Sequence, residues 1–212
     1  MSLPDSAAPV KEQRKGPEHA QAQRDRIVEA AGKCFVEKGF HAASIAEIAV
    51  AAGMSQGLLY RYFENKASIV RAMIDHCLSN EVNHIIDELA SPDDALRAML
   101  KLFEVWVRGE LPYMNAALMM ETAAESTRDT DIAATVRYAT QAVRARLEQV
   151  IRRSAEAAGV TLAEAELSRR VLKLQLLVDG MAVRALREPD LDRATLQAVL
   201  QAELDGLLIT RR

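Results

Sequence analysis

The chain has 212 residues, of which 50% are hydrophobic and only 4% aromatic, and its formal net charge is −3. No apolar run approaches the roughly 20 residues of a membrane-spanning helix and no secretory signal is visible, so we expect no membrane segment and a cytoplasmic location. Frequent alanine, leucine, glutamate and arginine favour an all-α protein, and the small negative charge does not by itself indicate nucleic-acid binding.

The N-terminal part of the chain is predicted to contain a disordered tail and one helix. Residues 1–20 hold three prolines and little apolar content, which is typical of a disordered segment. An apolar stripe predicts a helix over 21–38 that ends at Gly39. Cys34 and Cys77 both fall inside predicted helices, and in a reducing compartment we expect them to be buried thiols outside any disulfide.

The segment 44–63 carries the clearest local signals of the chain. Ser44 and Glu47 have the spacing of a capping box, which predicts the start of a helix. Gly53 is predicted to end that helix, and Ser55 to cap a second short one. Two short helices joined by a tight glycine turn form a helix-turn-helix motif, whose second helix enters the major groove in DNA-binding examples.

The second helix of this motif has few side chains suited to a hydrophobic core and several that can hydrogen-bond to DNA. Gln56 can pair with adenine in two places, Gly57 allows a close backbone approach, and Leu59 can contact a thymine methyl group. Tyr60 and Tyr62 are expected to donate to phosphates, with ring packing in the core as the alternative for each. The residues of this segment predicted to bind DNA are Ser44, Gln56, Gly57, Leu59, Tyr60, Arg61 and Tyr62.

Further fixed spacings surround the motif, and together they are highly specific. They read Arg26-Ile27-Val28-x-Ala30-Ala31-x-x-x-Phe35, Gly39-Phe40, Ser44-Ile45-x-x-Ile48-Ala49-x-x-Ala52-Gly53-Met54-Ser55-x-Gly57-x-Leu59-Tyr60-x-Tyr62-Phe63-x-Asn65-Lys66. This pattern resembles the DNA-binding domain of the TetR family of bacterial transcriptional regulators. The resemblance implies that Lys66 points to a phosphate. Where the family usually has a phosphate-contacting threonine the chain has Ala43, so that contact is absent or made elsewhere.

The next predicted helix joins the two halves of the chain. Asn65 is expected to cap a helix over 66–89. Because this helix joins the two domains, we expect it to transmit a movement from a bound ligand to the DNA-binding domain. His76, Cys77 and His84 lie on it, but their spacing without a nearby carboxylate pair gives little support to a metal site, and we predict none.

Aromatic and methionine side chains cluster in the predicted helices over 91–109 and from Pro112 onward. Methionines adapt to varied shapes, and pockets commonly form between bundled helices. Residue by residue a plain core is the commoner outcome, so the pocket is favoured only by the family resemblance. The candidate pocket residues are Phe103, Trp106, Tyr113, Met114, Met119, Met120, Glu121 and Gln175.

The last two predicted helices suggest a partner subunit. A capping box at Thr161 predicts a helix over 161–187 that is apolar on two sides, and such a helix must be covered on both. Pro189 ends it, and a leucine stripe follows in a last helix capped by Asp190 or Asp192. We predict a homodimer with a four-helix interface, the alternative being a monomer that buries both faces internally. The predicted interface residues are Leu172, Leu176, Gly180, Val183, Leu196, Val199, Leu200 and Leu204.

These patterns predict an all-α protein of about nine helices, with a three-helix DNA-binding domain at 21–66 and a helical ligand-binding and dimerisation domain at 67–212. The resemblance implies a ligand-responsive regulator, most readily a repressor released from a palindromic operator by a small-molecule effector, without a cofactor. The alternative is an all-helical protein-interaction adaptor that does not bind DNA sequence-specifically. An enzyme is disfavoured, since the chain shows no Gly-rich phosphate loop and no plausible Ser/His/Asp set.

Overall fold

The computed structural model describes residues 16–79, 85–86, 88–89, 91–110 and 115–207. Nine α-helices have both ends within these ranges, and the ranges contain no strand, so the predicted all-α class is confirmed. None of the described helices combines the length and hydropathy that a bilayer crossing requires. The helices are α1 (Pro17–Lys38), α2 (Ile45–Ala51), α3 (Gln56–Tyr60), α4 (Lys66–Cys77), α5 (Pro92–Arg108), α6 (Ala116–Glu125), α7 (Thr130–Ala157), α8 (Glu164–Arg187) and α9 (Arg193–Leu204).

Side-chain caps set the boundaries of the helix-turn-helix motif. The Ser44 hydroxyl accepts from the Glu47 N–H at 3.2 Å, and the Glu47 carboxylate accepts from the Ser44 N–H at 2.9 Å, which is the predicted capping box. Lys38 lies 2.6 Å from the same carboxylate and, together with the bonds from Ser44, lowers the pKa of Glu47 to about 2. Ser55 caps α3 through the Leu58 N–H at 3.2 Å, and Gly53 between the helices has φ +63°.

Several predicted helix ends lie elsewhere in the structure. α1 begins at Pro17, where proline suits a first turn that needs no N–H, so residues 17–20 of the predicted tail are helical. Residues 1–15 lie outside the described part of the chain. α4 ends at Cys77 instead of continuing through residue 89.

The predicted capping box at Thr161 does not form. α8 begins at Glu164, and its N-cap Ala163 has no side chain able to cap it. Glu164 instead accepts two bonds of 3.1 Å from the guanidinium of Arg152 on α7. This ion pair occupies the carboxylate that the capping box required.

The helices enclose two hydrophobic cores that share a boundary. The N-terminal core lies among α1 to α4 and contains Ile27, Phe35 and Leu59, and the C-terminal core lies among α5 to α9. Leu118 of α6 and Ile132 of α7 belong to the N-terminal core, although both helices follow the predicted domain boundary. The N-terminal helices are therefore packed directly against the C-terminal helices, α1 against α6 and α4 against α7.

The apolar faces of α8 and α9 differ in what covers them. On α8, Leu172 and Leu176 are 51% and 62% exposed, and Gly180 is also exposed. Val183 is half-buried, while Val199 on α9 is 54% exposed. Leu186 is a further exposed residue of α8 that the sequence analysis did not include.

Three predicted interface residues of α9 are part of the core of the chain itself. Leu196, Leu200 and Leu204 are buried in the C-terminal core, so their assignment to the dimer interface is wrong. The physical reason is that α9 packs its leucine stripe against α5, which leaves mainly Val199 on the outer face.

Candidate nucleic-acid interface and effector cavity

The outer surface of α3 is formed by polar side chains and glycine. Gln56, Gly57 and Tyr60 are exposed on the helix, and Arg61 is exposed immediately after it. A Cβ added to Gly57 would meet nothing within 4 Å, so packing inside the chain does not require glycine there. This surface offers hydrogen-bonding groups and a positive charge to an external partner, which are the groups that contact phosphates and base edges.

Leu59 is not part of this surface. Its side chain is 0% exposed and lies in the N-terminal core, so the predicted contact with a thymine methyl group is wrong. The half-exposed leucine of α3 is its neighbour Leu58. Tyr62 is half-buried against the same core, which agrees with the alternative of ring packing.

Lys66 makes bonds within the protein that its predicted role did not include. Its ammonium group donates to the backbone oxygens of Phe40, His41 and Ala43 at 2.7, 3.1 and 2.8 Å. It also lies 4.6 Å from the centre of the Phe40 ring. Burial lowers the pKa of Lys66. An ammonium group has three donors, so these bonds occupy all of them and correct the assignment of Lys66 to a phosphate.

Two arginines of α1 brace the motif, and the sequence analysis assigned them no role. Arg24 donates to the Tyr62 carbonyl at 2.8 Å, and its guanidinium lies 4.4 Å from the centre of the Phe63 ring. Arg26 donates to the Gly53 carbonyl at 3.1 Å. Local sequence offers no signal for these contacts, because each arginine bonds a residue more than 25 positions away.

A short loop between α1 and α2 is bonded to two other helices, α4 and α6. We call residues 39–43 the junction loop. Besides the bonds from Lys66, the Phe40 N–H donates to the carboxylate of Glu121 on α6. The His41 ring nitrogen lies 3.7 Å from the carboxylate of Glu125, also on α6. Glu121 was predicted to line the pocket, and the structure places it here instead.

Gly39 allows this contact for a steric reason. It has φ +81° and ψ 157°, a conformation open essentially only to glycine. A Cβ at this position would meet an oxygen of Glu121 at 3.0 Å. The close approach of α6 to the junction loop therefore depends on the missing side chain.

A cavity of about 320 Å³ opens among α4, α5, α6, α7 and α8. We call it the effector cavity. Of the candidate pocket residues, Trp106, Met119 and Gln175 line it. The other described lining residues are mostly apolar and are Ile74, Cys77, Leu78, Ile85, Ile86, Leu89, Ala95, Ala98, Met99, Leu102, Ala139, Thr140, Val143, Leu147, Leu174, Val178 and Asp179.

The remaining candidate pocket residues lie elsewhere. Phe103 lines a second, smaller cavity of about 170 Å³ beside Leu191 and Leu196. Met120 packs against the C-terminal core without lining the effector cavity. Tyr113 and Met114 lie outside the described residues.

Comparison with known proteins identifies the family of the chain, with one match for its N-terminal part and one for its C-terminal part. Residues 27–73 match the family of bacterial regulatory proteins named after tetR, and residues 92–209, more than half of the chain, match the C-terminal domain of BetI-type transcriptional repressors. The chain belongs to the TetR family of transcriptional regulators. Its match to both domain models agrees with the exposed α3 surface and the separate helical part that encloses the effector cavity.

Individual TetR-family proteins resemble the chain over different extents. The regulator TtgR of Pseudomonas putida is 37% identical over 91 residues, which cover 42% of this chain and 43% of TtgR. The chain thus spans less than half the length of this curated relative.

The solved structures extend the likeness in fold to nearly the whole chain. The structure of GusR from Salmonella enterica has a TM-score of 0.73 and 23% identity, covering 93% of this chain and 99% of GusR. FadR from Bacillus subtilis, solved in complex with stearoyl-CoA, has a TM-score of 0.67 and 15% identity, covering 87% of this chain and 99% of FadR. These two likenesses show the fold alone.

Proposed function

We propose that the chain is a ligand-responsive repressor that binds a palindromic operator as a homodimer and is released by a small molecule entering the effector cavity. The observation that carries the proposal is the polar outer surface of α3, which offers contacts to DNA. The domain that contains α3 shares its core with residues of α6 and α7, so a change at those helices can reach it. The proposal includes a cytoplasmic location and no cofactor.

A dimer doubles the number of base and phosphate contacts that a single copy of α3 can make. Two copies placed about 34–36 Å apart would enter successive major grooves on one side of the DNA. Gln56 and Gly57 would then meet base edges, while Tyr60, Arg61 and the Ser44 hydroxyl would meet phosphates. Doubling the phosphate contacts also offsets the modest charge of the single chain, because counterion release scales with the number of phosphates neutralised.

The exposed stripe on α8 supports this dimer. Leu172, Leu176, Val183 and Leu186 follow one another at spacings of four, seven and three residues along one side of the helix, which is the pattern of helices that pack against each other. Val199 adds an exposed apolar side chain from α9. An isologous interface would cover this stripe with the same stripe of the partner subunit.

We propose that a ligand acts on DNA binding through α4 and α6. Each helix has one part on the effector cavity and another at the junction loop. On α4 these are Ile74 and Lys66, and on α6 they are Met119 and Glu121. Displacing either helix from the cavity side would move the loop that precedes α2, and coupling of this kind is typically worth about 1–3 kcal/mol.

The first test is substitution of the base-reading residue, Gln56→Ala. We expect affinity for the operator to fall about tenfold while affinity for unrelated DNA is unchanged, because a bidentate side-chain contact contributes about 1–3 kcal/mol of base discrimination. The measurement is fluorescence anisotropy with DNA from the promoter of the chain's own gene, at two salt concentrations. Gln141→Ala, at an exposed glutamine of α7, is the matched control.

The outcomes of this test separate the functions under consideration. A loss of affinity that is equal for all sequences would contradict the role of Gln56. Absence of binding to any DNA at low salt would contradict the repressor itself and favour the adaptor. Steep weakening with added salt is the expected signature of phosphate contacts.

The dimer has its own test in Leu176→Lys. A charge placed in the centre of the exposed stripe is expected to shift the protein toward monomers in sedimentation velocity experiments, since an interface core excludes charged side chains. Operator affinity should fall with it, because each half-site is then bound separately. Val160→Lys adds the same charge at an exposed valine outside the stripe and should leave the oligomeric state as it was. An unchanged dimer in the Leu176 variant would show that the interface lies elsewhere.

A further inference from the structure

Leu58 is a half-exposed apolar residue on α3, a helix whose exposed residues are otherwise polar or glycine. Its backbone N–H donates to the Ser55 hydroxyl at 3.2 Å, which fixes its place in the first turn of the helix. Among the described residues, the hydrophobic side chains that pack against either core include Met54 and Tyr62 but not Leu58. The Leu58 side chain is therefore available for contact with an external partner.

The turn of the helix places Leu58 on the edge of the surface proposed to meet DNA. Successive residues of an α-helix are rotated by about 100°, so Gln56 and Leu58 lie on opposite sides of Gly57. Gly57 is exposed and has no side chain, so DNA can approach the backbone closely at this position. Leu59 points away from this surface into the N-terminal core. A duplex seated against Gly57 would therefore meet Gln56 on one side and Leu58 on the other.

The major groove presents one kind of apolar group to such a side chain. The base edges there carry hydrogen-bond donors and acceptors, and thymine adds its C5 methyl group. A leucine side chain has no donor or acceptor, so at a G·C pair it would cover polar base atoms without giving them a partner. Against a thymine methyl group it instead removes apolar surface of both molecules from water, which favours binding. The chemistry of Leu58 therefore selects an A·T pair.

We propose that Leu58 reads the methyl group of a thymine in each operator half-site, on the other side of Gly57 from the base that Gln56 contacts. The proposal rests on the proposed function, since it names a base recognised by the same DNA-binding surface. A dimer makes the contact twice, at positions related by the symmetry of the operator. Each half-site then carries an A·T pair whose thymine methyl group faces Leu58 in the major groove.

The test removes the methyl group from the DNA and, separately, the side chain from the protein. Operator sequences are first selected from random double-stranded DNA with the full-length protein, so that no promoter has to be assumed. Each symmetry-related pair of thymines is then replaced by uracil, which keeps the base pair and lacks the methyl group. Fluorescence anisotropy gives the dissociation constants of the wild type and of Leu58→Ala for every DNA.

For the wild type we expect one symmetric pair of uracils to weaken binding about tenfold, because two methyl contacts are lost at about fourfold each. In Leu58→Ala the same pair should change the affinity by less than about twofold, since the contacting side chain is already absent. In Gln56→Ala the uracil effect should persist, which makes this variant the control on the same helix. Val160→Ala shortens an exposed aliphatic side chain outside the DNA-binding domain and should bind both DNAs as the wild type does.

Two results would overturn the role of Leu58. One is a uracil effect of equal size in the wild type and in Leu58→Ala, and the other is no uracil effect at any thymine. Leu58→Asn, which replaces the methyl groups by an amide of similar size, gives the same comparison if Leu58→Ala does not fold. Selection of a palindromic sequence without a thymine effect would reject this role and leave the repressor standing. Failure to select any sequence would contradict the repressor and the role of Leu58 together.

Discussion

Lys66→Met is expected to destabilise the protein by about 2–4 kcal/mol, because it leaves backbone oxygens of the junction loop without their donor. In the structure the ammonium group donates to Phe40, His41 and Ala43, and the carbonyls of Phe40 and Ala43 are partly buried. Methionine keeps most of the aliphatic volume, so the loss reports on the bonds and not on a void. Urea unfolding followed by circular dichroism measures the change in free energy.

Lys33→Met is the matched control for this stability effect. Lys33 lies on α1 and forms an exposed pair with Glu29 at 2.8 Å, and exposed pairs contribute at most about 1 kcal/mol. A similar loss in both variants would contradict the special role of Lys66.

A second measurement separates the structural role of Lys66 from a phosphate contact. The salt dependence of operator binding is compared for the wild type and the folded Lys66→Met variant at low temperature. A lost phosphate contact lowers the log–log slope by about 1, whereas loss of an internal brace leaves it unchanged. We expect an unchanged slope. A reduced slope with unaltered stability would restore the phosphate assignment.

The sequence predicted the helix-turn-helix motif well because its signals are local. The capping box of Ser44 and Glu47, the cap at Ser55 and the glycine at position 53 each depend on residues within four positions, and each is present in the structure. Phe40 packs against Phe35 where α1 ends, with ring centres 5.2 Å apart. Signals of this kind are read directly from spacing.

The errors share another physical cause, which is that they concern the direction of a side chain relative to distant elements. Leu59 lies on a helix of five residues, too short for periodicity to show which side faces the core. Leu200 lies in a stripe whose pattern is the same for a subunit interface and for an internal core. No local pattern marks Asp179, since its place at the cavity depends on how α7 and α8 pack.

The coupling between cavity and DNA provides the last expected result. Ala98→Phe places a bulky side chain in the effector cavity from α5 and is expected to lower operator affinity about tenfold, as a bound ligand would. In a Glu121→Ala background the same change should have less than about a twofold effect. The reason is that α6 can then shift without moving the junction loop, because the Phe40 N–H has lost its carboxylate acceptor.

A double-mutant cycle on operator dissociation constants measures this coupling without a known ligand. Glu156→Ala, at an exposed carboxylate of α7, provides the control background, in which the tenfold effect of Ala98→Phe should persist. Hydrogen exchange of the Phe40 amide should be faster in Glu121→Ala, because its hydrogen bond is lost. If Ala98→Phe lowers operator affinity equally in both backgrounds, the signal bypasses Glu121, and α4, whose Lys66 holds the same loop, would be left as the connection between cavity and DNA.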